Sequence, residues 1–370
     1  MLGAMGQKKL KILFLMKTMR FDGGVETSVA SLANAVSALG HDVFIGAFCD
    51  PSDNYLKHRL DIKKNNFLYL GKRGGLLSRI RQTYLTARFL RRNDIPILHT
   101  HLFHAGLVGR IAAKLSGSKT IHTEHSTFFH WWKGRHYAVD KFLARRTDAL
   151  IAVSRSVAAT LASRTAVYPD KIHIISNIVD ASRFYESDVY ENRSGIYLTG
   201  RLEYSKNIAF ALEIQKELIK LQSSLRLNIV GNGSLRGSLR EEIKDNQLED
   251  YVRLLKPDSD FLKLLRQAKI LLVTSHWEGL PMVVLEAYAA GTPVAGTSVP
   301  GVMDVIHNEH TGLLLDPTDP CEAAARLESL AMCSEYQSRL VTNAGKEVKR
   351  YESKIIGKEY EDLCLGLLKS

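Results

Sequence analysis

Two glutamates, Glu278 and Glu286, stand with seven residues between them in HWEGLPMVVLEAYAAGTP, a segment otherwise apolar and helical in pattern. Pro281 fits the first helical position, where its missing N–H leaves no hydrogen bond unmade. The turn Glu278-Gly279-Leu280 then exposes backbone amides at a helix N-terminus, with Glu286 about two turns or less inside. Carboxylates so placed accept hydrogen bonds from paired hydroxyls. A plainer arrangement, with Glu278 in solvent and Glu286 paired to a cation, fits the same residues.

A second chemical stretch is TGRLEYSKN, residues 199–207. A strand ends at Thr199-Gly200, and Arg201 and Lys206 flank the turn that follows. Arginine forks onto two oxygens and lysine places a compact charge, so the pair suits a diphosphate; an ordinary basic surface is the alternative. A third is Gly23-Gly24, ahead of an apolar-periodic segment running from Val25 to Leu39. Paired glycines let the backbone approach a ligand at a helix N-terminus, although a simple helix-entry turn reads the same way. The spacing is not GxGxxG, so a dinucleotide fingerprint is absent.

The elements that must hold these turns alternate. KILFLM, DVFIGAF, ILHTH, KTIHTEH and ALIAVS read as strands with helical patterns between them. GIYLTG, RLNIVG, YVRLL, ILLVTS and TPVAGTS form a second series. This βα rhythm predicts parallel sheets covered on both faces. A chain of 370 residues, 45% apolar, is too long for one core. The expected fold class is α/β, with two Rossmann-like domains facing each other across a cleft. They are placed at 1–180, joined by a C-terminal helix at 353–370, and at 181–352, with a polar linker between. Ligands of open α/β sheets bind at the carboxyl ends of the strands.

Several ordered motifs together resemble a known family. GRL and KN in the second stretch, IVGNG at 229–233, SHWEGLPMVVLEAYAAGTPV, VPGVMDVI and TGLLLDP are similar to the retaining glycosyltransferases of the GT-B fold called family 4, or group 1. The resemblance runs over about residues 10–320 and is strongest over 198–317. It implies transfer of a sugar from a UDP- or GDP-linked donor, with retention at the anomeric carbon. It also implies roles for particular residues. Arg201 and Lys206 hold the donor diphosphate beside Gly200. Glu286 binds the ribose. Glu278, with the amides of Gly279, Leu280 and Met282 next to Pro281, holds the transferred sugar. Gly23 and Gly24 approach the phosphates. His125, in HTEHS, matches the family's cleft histidine. Leu255 and Lys256 fall near the base, but a lysine stands where the family often has glycine, which leaves the base open.

No metal or cofactor is expected, because Arg201 and Lys206 do what a divalent cation does elsewhere. Asp258-Ser259-Asp260 spells a DxD motif, yet it opens a helical segment and reads better as an N-cap. His99, His101, His104, His122 and His125 crowd one region; taken alone, strand-end histidines are often merely hydrogen-bonded. Cys49, Cys321, Cys333 and Cys364 form no CxxC pair, which fits isolated thiols in a reducing, cytoplasmic compartment. No signal peptide or membrane-spanning run is expected.

The formal charge of +11 is uneven: between Lys57 and Arg146 stand 19 Lys and Arg against four acids. Beside STFFHWWKGRHY (126–137), this suggests a peripheral enzyme at the inner face of the membrane, meeting an anionic surface. The expected acceptor is a lipid-linked or cell-envelope glycan. A GT-B epimerase, which turns over without an acceptor, and a small-molecule glycosyltransferase are the alternatives. No nucleic-acid recognition motif is present, so a nucleic-acid partner is not expected.

Overall fold

The computed structural model describes residues 9–19, 24–50, 60, 66–72, 74–128, 134–180, 193–256 and 261–369. Gly23, the segment from Phe129 to Lys133 and the Asp258-Ser259-Asp260 motif lie outside the described residues. The chain divides into two compact units, Met1–Ile178 with Ser353–Ser370, and Val179–Glu352.

The first unit holds a seven-stranded sheet. Its strands are β1 (Lys11–Met16), β2 (Asp42–Ala47), β3 (Phe67–Tyr69), β4 (Ile97–His101), β5 (Lys119–Glu124), β6 (Ala149–Ala152) and β7 (Ile172–Ile174). They lie in the order β3-β2-β1-β4-β5-β6-β7, all parallel. Strand β1 shows why: Ile12, Phe14 and Met16 enter one core and Leu13 and Leu15 another. Successive side chains point to opposite faces, so a strand covered on both sides is apolar throughout. The helices are α1 (Gly24–Ala38), α2 (Leu76–Arg92), α3 (Leu102–Ser116), α4 (Gly134–Arg145) and α5 (Arg155–Thr165). Gly40 follows α1 with φ +90°, a left-handed turn that glycine makes without strain.

The C-terminal helix (Ser353–Leu367) belongs to this unit and packs on α1. Tyr360, fully buried, places its hydroxyl 3.0 Å from His99 Nδ1. Glu361 Oε1 lies 2.8 Å from His41 Nε2. The Leu10 amide donates to His41 Nδ1, which leaves the His41 proton on Nε2, facing the carboxylate.

The second unit holds six parallel strands. They are β8 (Ser194–Thr199), β9 (Leu227–Val230), β10 (Val252–Leu255), β11 (Ala268–Val273), β12 (Val294–Thr297) and β13 (Leu313–Leu315), in the order β10-β9-β8-β11-β12-β13. Around them lie α6 (Ile208–Lys220), α7 (Arg236–Asp245), α8 (Phe261–Gln267), α9 (Met282–Ala289), α10 (Pro320–Met332) and α11 (Ser334–Glu347). In each sheet the strand order reverses once, between β1 and β4 and between β8 and β11. Loops leaving the carboxyl ends of such a pair diverge and open a crevice.

The short strands β3 and β7 and the helices α10 and α11 were not anticipated. Three-residue strands carry too little alternation to stand out. Helix α10 did carry a signal: Asp319 precedes Pro320, and its carboxylate accepts from the Glu322 amide at 2.9 Å.

Candidate active site

In the second unit the candidate site is built on β8 and β11, the neighbours at the reversal. Strand β8 ends at Thr199, and Gly200 follows with φ +144°, a conformation that favours glycine. The chain then turns through Arg201 to a short 3-10 turn, Tyr204–Lys206, before α6. Gly231, after β9, presses on this turn so closely that a Cβ there would collide with the Gly200 carbonyl. Gly233 meets the Leu202 backbone in the same way.

Lys206 Nζ lies 2.6 Å from Glu278 Oε1. The Ser275 hydroxyl donates to the same oxygen at 2.7 Å. The Thr274 hydroxyl donates to the Lys206 carbonyl at 2.8 Å, and the His276 amide to the Ser205 carbonyl at 2.9 Å. Two turns more than seventy residues apart are thereby stitched into one surface. Lys206 and Glu278 keep 25% and 15% of their side chains exposed, so the pair contributes only about 1 kcal/mol. An incoming anion can therefore draw Lys206 away at modest cost. Arg201, on the same turn, is exposed. Gly301, with φ +86°, lets its own loop pass against the Glu278 carbonyl, where a Cβ would clash.

Pro281 sits one position earlier than expected. It is the N-cap residue of α9, not its first helical residue, because its ψ of 99° is extended. Its carbonyl accepts from the Val284 amide at 3.0 Å, and Met282 opens the helix. Gly279, Leu280 and Pro281 are buried, and Glu286 lies half-buried within α9. Leu255 ends β10 and Lys256 follows it, both exposed and two strands from β8.

Sequence reasoning missed Arg236. Its guanidinium donates to the carbonyls of Gly231 at 2.6 Å and Leu255 at 2.9 Å, riveting the turn after β9 to the end of β10. Ser275 and the aromatic group of Tyr204, His276 and Trp277 were missed too. Tyr204 and His276 have ring centroids 4.8 Å apart beside the ion pair. Only the pairing of β8 with β11 brings these rings together.

In the first unit His125 follows β5. Its amide donates to Glu124 Oε1 at 2.9 Å. Glu124 Oε2 in turn binds Arg164 at 2.6 Å, and Arg164 reaches Asp140 at 3.1 Å, which Arg110 approaches at 3.5 Å. All four side chains are nearly closed to solvent. Burial raises the Glu124 pKa against the pull of Arg164, and burial lowers that of Arg110.

The histidines form a cluster. His125 Nε2 lies 3.1 Å from His101 Nδ1, and the His101 and His99 ring centroids lie 4.2 Å apart, tilted by 37°. His99 Nε2 meets the Thr123 hydroxyl at 2.6 Å, and His122 Nδ1 the Thr100 hydroxyl at 2.9 Å. Burial drives His99, His101 and His122 well below the usual histidine range and His125 down to about 4, so the cluster is neutral at pH 7. A cavity of about 20 Å³ opens beside His101 and His125, lined also by Ser28 and Asn177, which hydrogen-bond to one another. Gly24 is the first residue of α1 and is exposed.

Comparison with known proteins agrees with this architecture. Residues 22–183 match the family model for Glycosyltransferase Family 4, and residues 183–347 that for Glycosyl transferases group 1. An Escherichia coli UDP-Gal:alpha-D-GlcNAc-diphosphoundecaprenol alpha-1,3-galactosyltransferase is 29% identical over 63% of this chain. The match spans 65% of that enzyme's length, just under two thirds. A Campylobacter jejuni GalNAc-alpha-(1->4)-GalNAc-alpha-(1->3)-diNAcBac-PP-undecaprenol alpha-1,4-N-acetyl-D-galactosaminyltransferase is 26% identical over 95% of this chain and 97% of its own. Anabaena HepE, solved in complex with UDP, superposes with a TM-score of 0.82 over 96% of this chain and all of its own, at 18% identity. The two models together span residues 22–347, and the chain belongs to the GT-B glycosyltransferases of family 4, group 1.

Proposed function

We propose that the chain is a retaining glycosyltransferase that moves a sugar from a UDP- or GDP-linked donor to a lipid-linked or cell-envelope glycan, without a metal ion. The observation that carries the reading is the contact of Lys206 with Glu278 between the turns that follow β8 and β11, with Arg201 exposed on the turn that bears Lys206. Two relatives whose names place their acceptors on undecaprenol diphosphate support the acceptor class.

In such a transfer the anomeric C–O bond breaks with positive charge growing on the sugar and negative charge on the departing diphosphate. Arg201 and Lys206 neutralise that charge where it develops, and a fixed cation pair acts most strongly away from bulk water. Glu278 and the amides of Gly279, Leu280 and Met282, next to Pro281, hold the transferred sugar. Glu286 binds the ribose, with Leu255 and Lys256 toward the base. Gly200 lets the turn approach the phosphates, and Gly24 serves the same group in the first unit. His125, neutral at pH 7, serves the donor sugar as a hydrogen-bond partner and not as a cation. The first unit takes the acceptor, at the cytoplasmic face of a membrane.

A thermal-shift panel of UDP-, GDP- and ADP-sugars tests the donor reading; a shift with one base is expected, and none with any would overturn it. Incubation of the matching donor with a polyprenyl-diphosphate sugar then tests transfer. The anomeric proton coupling of the product should match that of the donor; inversion would refute retention. Donor turnover without any acceptor would favour the epimerase alternative.

A further inference from the structure

The first unit carries an apolar trough of about 820 Å³ between α2 and α3. No described helix is long and apolar enough to cross a membrane, yet the walls of this trough are strongly apolar and open. Leu76 is 73% exposed, Ile80 57%, Tyr84 60%, Ile111 43% and Leu115 52%. Leu76, Ile80 and Tyr84 recur at helical spacing along one stripe of α2, and Ile111 and Leu115 line up likewise on α3. Core burial does not explain them, because α2 already seats Gln82, Thr86, Ala87 and Leu90 against the unit.

Charge identifies the occupant. Helix α2 carries Arg79, Arg81, Arg88, Arg91 and Arg92 and no acid. Arg79, Arg88, Arg91 and Arg92 line the trough itself. Arg91 donates to the Leu115 carbonyl across it. Helix α3 also lacks acids, and its Arg110 is turned inward to Asp140. A protein partner covering this face would have to answer four guanidiniums with carboxylates while filling an apolar channel between them. A second copy of this chain would set like charge on like.

We propose that the α2–α3 face docks on an anionic phospholipid bilayer. The guanidiniums fork onto lipid phosphates, their aliphatic stems and the exposed Leu76, Ile80, Tyr84, Ile111 and Leu115 sink among the acyl chains, and α2, about 25 Å long, lies in the interface plane. This deepens the membrane-side acceptor reading above by naming the face, and it does not depend on the identity of the donor.

Sedimentation with sucrose-loaded vesicles tests it. The full chain is expected to bind phosphatidylcholine vesicles containing a quarter phosphatidylglycerol, and to bind pure phosphatidylcholine far less. Binding should weaken as salt rises. Each basic residue at such a surface strengthens partition about fivefold, so Arg88→Glu/Arg91→Glu/Arg92→Glu should weaken it by more than a hundredfold. Ile80→Glu/Ile111→Glu should weaken it too, with the melting temperature retained because both side chains are exposed. Arg240→Glu/Lys244→Glu on α7, exposed in the second unit, should bind like the parent. The proposal is overturned if the parent ignores anionic vesicles, or if the α7 variant loses as much binding as the α2 variant. It is also overturned if the parent sediments as a dimer that Ile80→Glu/Ile111→Glu splits. The nucleoside-diphosphate thermal shift, measured on the same variants, reports the donor reading separately and should not move.

Discussion

Lys206 Nζ and Glu278 Oε1 stand 2.6 Å apart, joining the turn after β8 to the turn before α9. The cation proposed for the diphosphate and the carboxylate proposed for the sugar are each other's partner in the structure. Donor entry would exchange this contact for two others. Lys206→Ala is accordingly expected to cut kcat by at least about a hundredfold, the scale on which loss of one transition-state donor acts. The circular dichroism spectrum should be unchanged. Full activity in this variant would remove Lys206 from the mechanism.

Gly231→Ala introduces a methyl group against the Gly200 carbonyl. Overpacking against backbone costs about 1–3 kcal/mol, and here the displaced turn is the one bearing Arg201 and Lys206. Nucleoside-diphosphate affinity, read by calorimetry, should fall about tenfold or more. Gly237→Ala, whose Cβ meets nothing within 4 Å, serves as the control and should bind normally.

Much of this arrangement was legible in the sequence, for physical reasons. β1 was readable residue by residue because it is buried on both faces and hence apolar throughout. The turn at 199–207 and Glu278 stood out by residue type, and the structure brings Lys206 of that turn against Glu278. Their mutual contact was not readable, because it depends on β8 lying next to β11. Pro281 was misplaced by one residue, since proline fixes φ but leaves ψ free to be extended. The positive charge of the first unit was visible as a total. Its gathering around an apolar trough needed the packing angle of α2 on α3.

The histidine cluster sets a pH dependence. The folded pKa of His125 is about 4, and those of His99, His101 and His122 are also depressed, against about 6.5 in an unfolded chain. Between those values the unfolded state binds more protons, so acid favours unfolding. Stability should be full above about pH 6.5 and fall as the pH drops toward 4, with His125 alone accounting for at most about 3 kcal/mol. Urea unfolding at pH 7 and pH 5 measures this. His125→Asn should flatten the dependence, and an unaltered slope would assign it to other groups.

Arg164 holds both Glu124 and Asp140 in a buried setting. Arg164→Met takes the cation from Glu124, leaves Asp140 with Arg110 alone, and should cost about 3–5 kcal/mol. The further change Glu124→Gln should recover part of that loss. Failure to recover any would place the damage in packing and not in charge.

Tyr360→Phe leaves His99 Nδ1 buried without its hydroxyl partner. A loss of about 1–3 kcal/mol is expected in the first unit, seen as a lower denaturant midpoint. An unchanged midpoint would mean that the contact is energetically neutral.

The return of the C-terminal helix to the first unit has a consequence for synthesis. Residues translated after the whole second unit complete a core whose strands were made before it. The second unit can therefore close while its predecessor still waits for Tyr360 and Glu361. Any nascent chain stalled late in translation would carry a finished rear half and an open front half.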